Sequence, residues 1–239
     1  MRLCFRLLLA GAALLPGLVQ TAAAQPTKFS LVAPDCYVHT TYLTPYPTTN
    51  GLVVRTSAGA VLIDTGWNAG QARQLRRWVR QQWRQPIALC IVTHSHRDRA
   101  GGANWLHRRG VRVVSTALTA EKLRAEDAAW ARGGLPADTT FTVGGQTFRT
   151  YFPGAGHVPD NIVVWLPQQQ LLVGGCLIKS TEAQDLGNLA DANPIAWVPT
   201  MQRVISQFPE ARLVIPGHQA WGDAHCLQHT LDLLKAAGH

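Results

Sequence analysis

The chain has 239 residues, a 46% hydrophobic fraction and a formal net charge of +8. That is enough apolar material for a sizeable core, and it excludes a disordered, collagenous or coiled-coil chain. The arginines are scattered, with no aromatic-interleaved basic stripe, so the charge reads as a solvated surface and nucleic acid is not expected as a partner.

The N-terminus has the layout of a secretory signal peptide. Arg2 and Arg6 precede an apolar run from Leu7 to Val19, and the small residues Ala22, Ala23 and Ala24 follow. Cleavage is expected after Ala24. Residues 1–24 then form a signal peptide and residues 25–239 a single domain. The run is short for a membrane anchor and is ended by Gln20 and Thr21, and Cys4 is misplaced for lipid attachment. The mature protein is expected in the periplasm, free of the membrane, as a monomer. Disulfides are permitted there, yet the mature chain holds only Cys36, Cys90, Cys176 and Cys226. Cys90 reads as a buried thiol in an apolar run. Pairing of Cys36 with Cys226 is left open.

Phe29 to Val38 reads as an opening strand, followed by the turn-rich stretch Thr40 to Asn50. Residues 51–56 and 60–64 form a hairpin across Ser57-Ala58-Gly59. Asn68 suits the cap of a helix carrying Leu75, Trp78, Val79 and Trp83 at helical spacing. Ile87 to Val92 is an unbroken apolar run, the mark of a strand buried on both faces. After a Gly-rich turn come a short helix around residues 104–106, a strand over 111–115 and a helix from Thr119 to Trp130 ending at Gly133-Gly134. Residues 141–152 alternate like a hairpin, and 162–166 and 171–173 are two further strands. A helix over 194–207, a strand over 212–215 and a terminal helix over 225–237 complete the chain. Strands alternating with helices, with hairpins mixed in, predict an α/β fold of mixed sheets covered by helices.

The chemistry concentrates at strand ends. Directly after Ile87–Val92 stands Thr93-His94-Ser95-His96-Arg97-Asp98-Arg99, followed by Ala100-Gly101-Gly102. Two imidazoles and a carboxylate on one tight loop are good zinc ligands. Three other ligand-type residues share the context of a strand-like run and a glycine: His157 after Gly156, Cys176 after Gly174-Gly175, and His218 after Gly217. Six such ligands exceed the four of a closed structural zinc site, which implies two zinc ions and an enzyme.

The pattern His94-x-His96-x-Asp98, His157, Cys176 and His218 resembles the class B metallo-β-lactamases, in the subclass whose second zinc is held by Asp, Cys and His. The resemblance implies a four-layer αββα sandwich, with His94, His96 and His157 on the first zinc and Asp98, Cys176 and His218 on the second. It implies hydrolysis of the β-lactam amide of penicillins, cephalosporins and carbapenems by zinc-activated hydroxide, and hence antibiotic resistance. No nucleophilic serine is needed, and no Ser-x-x-Lys set of the serine enzymes is found. Lys179 is expected to meet the substrate carboxylate. Asn188 is expected either to help polarise the lactam carbonyl or to serve its own turn. Trp67 forms a pocket wall, with Tyr42 and Tyr46 on a flap over the site. Asp98 is expected to orient the attacking water, Arg99 to orient Asp98 or Cys176, and Asp64 to be structural. Glyoxalase-like hydrolases, lactonases, RNA-processing nucleases and sulfatases of the wider superfamily typically carry His after the motif Asp and a bridging Asp at the cysteine position. Arg99 and Cys176 depart from both. A non-catalytic zinc scaffold is the other alternative.

Overall fold

A computed structural model describes residues 26–124 and 134–239. The segment read as a signal peptide, and residues 125–133, lie outside the described residues.

The first sheet has six strands in chain order: β1 (Lys28–Ala33), β2 (Cys36–Thr41), β3 (Thr49–Val54), β4 (Ala60–Ile63), β5 (Ile87–Ile91) and β6 (Arg112–Val114). Pairs β1 to β4 run antiparallel, and β4, β5 and β6 run parallel. The second sheet contains β7 (Thr139–Val143), β8 (Gln146–Tyr151), β9 (Val163–Leu166), β10 (Leu171–Gly175) and β11 (Leu213–Pro216), in the order β11-β10-β9-β8-β7. Only β10 and β11 are parallel there.

Strand periodicity decides the layering. Leu52, Val54, Val61, Ile63 and Ile91 of the first sheet meet Phe148, Val164, Leu166, Leu171, Val173 and Ile215 of the second. The alternate residues face outward. Val53, Leu62 and Cys90 pack under α1 (Ala69–Trp83) and α3 (Ala103–His107), with Leu75, Val79 and Leu106. Val163, Leu172 and Val214 pack under α5 (Pro194–Gln207) and α6 (His225–Ala236), with Trp197, Met201 and Leu231. The result is the four-layer αββα sandwich.

Local chemistry sets the boundaries. The Asn68 side chain accepts the Gln71 N–H at 3.1 Å and caps α1. Asn193 does the same for Ala196 at 3.0 Å, with Pro194 at the first helical position of α5. Thr116 Oγ1 accepts the Thr119 N–H at 3.2 Å and opens α4 (Ala117–Arg124), two residues ahead of the expected start.

Two expectations are corrected. The single opening strand over Phe29–Val38 is a hairpin, β1 and β2. Pro34 offers no ladder donor and Asp35 adopts a left-handed φ of 59°, so the chain turns back on itself. The metal-motif loop, ahead of its Gly101-Gly102 turn, itself holds a one-turn helix, α2 (Arg97–Ala100), carrying Asp98. The cysteine question is also answered: the four described cysteines are free and buried, with Cys36 between the sheets and Cys226 in the α5–α6 layer.

His39 on β2 is buried, its Nε2 lying 3.3 Å from the Ile63 carbonyl, and burial holds its imidazole down at about 4. An unfolded histidine takes its proton near 6.5. Acid therefore favours the unfolded chain between about pH 6.5 and 4, and above that window the effect vanishes. The expected outcome is a urea midpoint that falls across that window. The fall should be shallower in His39→Gln, where this contribution, up to about 3 kcal/mol, is removed.

Candidate metal centre

Four ligand-bearing segments leave the same end of the two sheets. The motif loop follows β5, the His157 loop lies between β8 and β9, Cys176 follows β10 and His218 follows β11. The two sheets are tied at that end. The Asn50 N–H donates to the Gly217 carbonyl at 2.8 Å, and Asn50 Nδ2 donates to Pro216 and Gln219 carbonyls at 3.1 and 2.9 Å.

Asp64 anchors the motif loop. Its carboxylate accepts the Thr93 N–H at 2.9 Å and the Thr93 hydroxyl at 2.9 and 3.0 Å. The expectation that Asp64 is structural agrees with this geometry. Arg99 is wholly buried and radiates into the site. Its Nε donates to Asp98 at 2.7 Å, its Nη1 to Asp64 at 3.3 Å, and its Nη2 to the Gly217 carbonyl at 2.7 Å. It also reaches the Asn50 carbonyl and the Thr49 hydroxyl.

The structure brings all six expected ligands together. His94, His96 and His157 stand in mutual edge contact, with ring centroids 5.0 to 5.4 Å apart. His96 Nδ1 and His157 Nε2 face each other at 3.2 Å. The other nitrogen of His96 pairs with the Asp191 carboxylate at 2.9 Å, which leaves Nδ1 as a lone pair aimed at the centre. His94 Nε2 is buried with no partner. Beside this group, the Cys176 thiol donates to Asp98 Oδ2 at 3.3 Å and lies 3.2 Å from His218 Nε2, itself 3.5 Å from Asp98. His218 Nδ1 donates to the Thr48 carbonyl at 2.9 Å, so Nε2 is the free lone pair. The ligand atoms of Asp98, Cys176 and His218 lie within 4.8 Å of one another, as do those of His94, His96 and Asp98.

The electrostatics favour a cation. Burial drives the His94 and His157 imidazoles well down, and holds His218 at about 4 with Arg99 adding repulsion. All three are therefore neutral lone-pair donors at ordinary pH. Burial alone would raise Asp98, but the Arg99 guanidinium, helped by His94 and His218, holds its carboxyl well below the usual range. Burial pushes the Cys176 thiol up. A metal reverses that, because a coordinating thiol is deprotonated outright. Unpartnered His94 Nε2, facing imidazole lone pairs and an Asp–Cys–His trio fit a metal of zinc type far better than they fit one another.

Glycines allow the approach at two points. A side chain at Gly217 would lie 2.7 Å from Cys176 Sγ, and one at Gly101 would run into the Trp67 carbonyl.

The remaining expected residues fall as follows. Trp67 stacks on Tyr46, with ring centroids 4.8 Å apart, and its backbone N–H donates to Gln71 Oε1 at 2.7 Å. Lys179 is nearly buried, with Nζ 5.2 Å from the Trp197 ring centroid, and lines a cavity of about 280 Å³ with Pro47, Gly187 and His218. Asn188 is exposed, and its Oδ1 accepts the Ala190 N–H at 3.1 Å. Sequence reasoning missed Asp191, which pairs with His96, and Asp160, which accepts the Ser95 N–H at 2.8 Å. Neither stands at a motif spacing; folding alone delivers them.

Residues 44–218 match the metallo-β-lactamase superfamily. The chain belongs to that superfamily. It is 44% identical over 186 residues, 78% of this chain and 73% of the relative, to a metallo-β-lactamase type 2 of Bacillus cereus. It is 35% identical over 211 residues, 87% of this chain and 85% of the relative, to one from Elizabethkingia meningoseptica. A solved metallo-β-lactamase from Pontibacter korlensis superposes with a TM-score of 0.85 at 41% identity, covering 87% of this chain and 99% of that one. The αββα architecture is thus the metallo-β-lactamase fold, and the candidate metal-binding residues of the family are present in it.

Partners that orient a metal-binding imidazole cost about 10–100-fold in affinity when lost. Asp191→Ala is accordingly expected to weaken metal binding by that factor through His96. Titration of the metal-free protein against a competing chelator reads the change directly.

Proposed function

We propose that this chain is an exported zinc-dependent β-lactamase that opens the lactam ring of penicillins, cephalosporins and carbapenems, and so confers resistance. The observation that carries the reading is the Asp98–Cys176–His218 trio beside the clustered imidazoles of His94, His96 and His157. The lactamase names of its relatives support the substrate class. Under this reading residues 1–24 are removed as a signal peptide, residues 25–239 act as one domain, and the mature protein works in the periplasm as a monomer.

His94, His96 and His157 would hold one zinc ion, and Asp98, Cys176 and His218 a second. Bound zinc supplies Lewis acidity and lowers the pKa of water to about 7. Asp98 is held ionised by Arg99, so it accepts a hydrogen bond and orients the attacking water. Lys179 supplies the cation for the substrate carboxylate at the edge of the His218 cavity. The Tyr46–Trp67 stack offers an apolar wall to the rest of the substrate. Asn188 commits Oδ1 to its own turn, which leaves Nδ2 as the group to donate to the lactam carbonyl.

Carbapenem hydrolysis by the metal-loaded protein, followed by loss of ultraviolet absorbance, tests this reading. Turnover should vanish on adding a chelator and return with zinc. Loss of a ligand should exceed the roughly 100-fold upper cost of losing an outer partner. Cys176→Ser is therefore expected to fall further than that, with one fewer zinc bound and an unchanged circular dichroism spectrum. Absence of turnover with every β-lactam class at full zinc content overturns the substrate assignment. Lys179→Ala separates binding from chemistry. A charge-assisted hydrogen bond is worth about 1.5–3 kcal/mol, so KM for carboxylate-bearing substrates should rise about 10-fold or more while kcat changes little.

A further inference from the structure

The arginines that lie scattered in sequence converge on one face in the fold. Arg73, Arg76, Arg77, Arg80, Arg84 and Arg109 gather there, and the one acid of residues 65–120, Asp98, is buried in the metal centre with Arg99. The outer helix α1 carries Arg73, Arg76, Arg77 and Arg80, spaced so that three- and four-residue steps link them along one side, and Arg84 is its C-cap. Arg109, just beyond α3, faces them.

Between these elements lie two adjoining cavities. One, of about 520 Å³, is lined by Arg76, Arg80, Arg84 and Arg109 together with the backbone at Gly110 and Val111. The other, of about 410 Å³, shares Arg76, Arg80 and Arg109 and reaches Trp105. Among the described residues, no acidic side chain lines either cavity. Among the described residues, no ion pair engages Arg76, Arg80, Arg84 or Arg109. Arg109 is nonetheless held in place: its guanidinium lies 3.9 Å above the centroid of the Trp105 ring. A guanidinium stacked on an indole keeps its edge N–H groups free to donate.

Like charges gathered in a concave site without counter-charges create a field that an anion relieves. Arginine forks match the oxygens of phosphate bidentately. We infer that the α1–α3 cleft is a binding site for a compact phosphate-bearing polyanion, either a soluble one or the headgroup of an anionic lipid. The cleft is separate from the metal centre. Strand β5 begins in it at Ile87 and ends beside Thr93, five residues that span about 16 Å at the strand rise. Trp105 is buried beneath its arginines and offers no open face for base stacking, which disfavours a nucleic acid.

Calorimetric titration of the purified full chain with fructose 1,6-bisphosphate, a weak metal chelator with two separated phosphates, tests the site. One-to-one binding is expected, weakening steeply with salt. Arg80→Ala/Arg109→Ala should lose at least 10-fold in affinity and keep full hydrolytic activity. Arg55→Ala, just beyond β3, should bind as the parent does. Sedimentation with phosphatidylglycerol against phosphatidylcholine vesicles identifies the source. Capture by the anionic vesicles, lost in the double variant, assigns a lipid headgroup; binding of the bisphosphate without capture assigns a soluble polyanion. No bisphosphate binding at low salt, an equal loss in Arg55→Ala, or binding of duplex DNA alone overturns the inference.

Discussion

A guanidinium with no access to water is costly unless every direction it points in is answered, and the end of the sandwich that carries the ligands is arranged around one. Stripping a charge of water costs several kcal/mol even after relaxation. Arg99 is compensated by Asp98 and Asp64 and by backbone carbonyls at Asn50 and Gly217. Those partners come from the start of β3, the end of β4, α2 and the end of β11, so a single side chain fixes the relative positions of both sheets and of the motif loop. Loss of Arg99 would strand two buried carboxylates at once. A position occupied by a residue next to a ligand, and easily read as a bystander, is the one on which the ligand geometry depends.

The same cation sets the chemistry of its neighbours. It holds Asp98 ionised despite burial, and adds to the burial that keeps His218 neutral. The metal centre thereby presents a carboxylate and lone-pair imidazoles at ordinary pH, with the Cys176 thiol as the group that must still release a proton. Metal affinity at such a site is coupled to that proton. The orienting contacts complete the arrangement: Asp191 and the Thr48 carbonyl each take one nitrogen of an imidazole and turn the other inward.

What the sequence made legible follows from range. Most strand runs, the Asn68 and Pro194 helix starts and the ligands at strand ends depend on neighbours a few residues away, and these appear in the structure. The β1–β2 hairpin was hidden because Leu31 to Val38 is apolar on both sides of Pro34-Asp35, so the run looks continuous while the backbone reverses. Helix α2 was hidden because one turn has no periodicity to detect. Asp191 was hidden for a different reason: it stands 95 residues from His96, and only the return of α5 and its preceding loop beneath the second sheet brings the two together. Arg99 could be read as a neighbour of Asp98, but its reach to Gly217, 118 residues away, is a property of the fold.

The glycines before the ligands show how short-range and long-range demands meet. Each of His157, Cys176 and His218 follows a glycine, which sequence alone reads as a sharp turn. Gly175 does need its left-handed backbone, with a φ of 55°. Gly217 does not appear among the left-handed glycines; it is required because a side chain there would collide with Cys176, a ligand from the neighbouring strand. Parallel pairing of β10 with β11 explains the collision, since it sets Gly175 beside Pro216 and brings both strand ends to one edge together. The two ligands can share a metal only if their backbones approach this closely, and the missing side chain permits it. The spacing of the trio is thus a consequence of sheet geometry, which makes Cys176 and His218 one unit, with Arg99 joining that unit to Asp98.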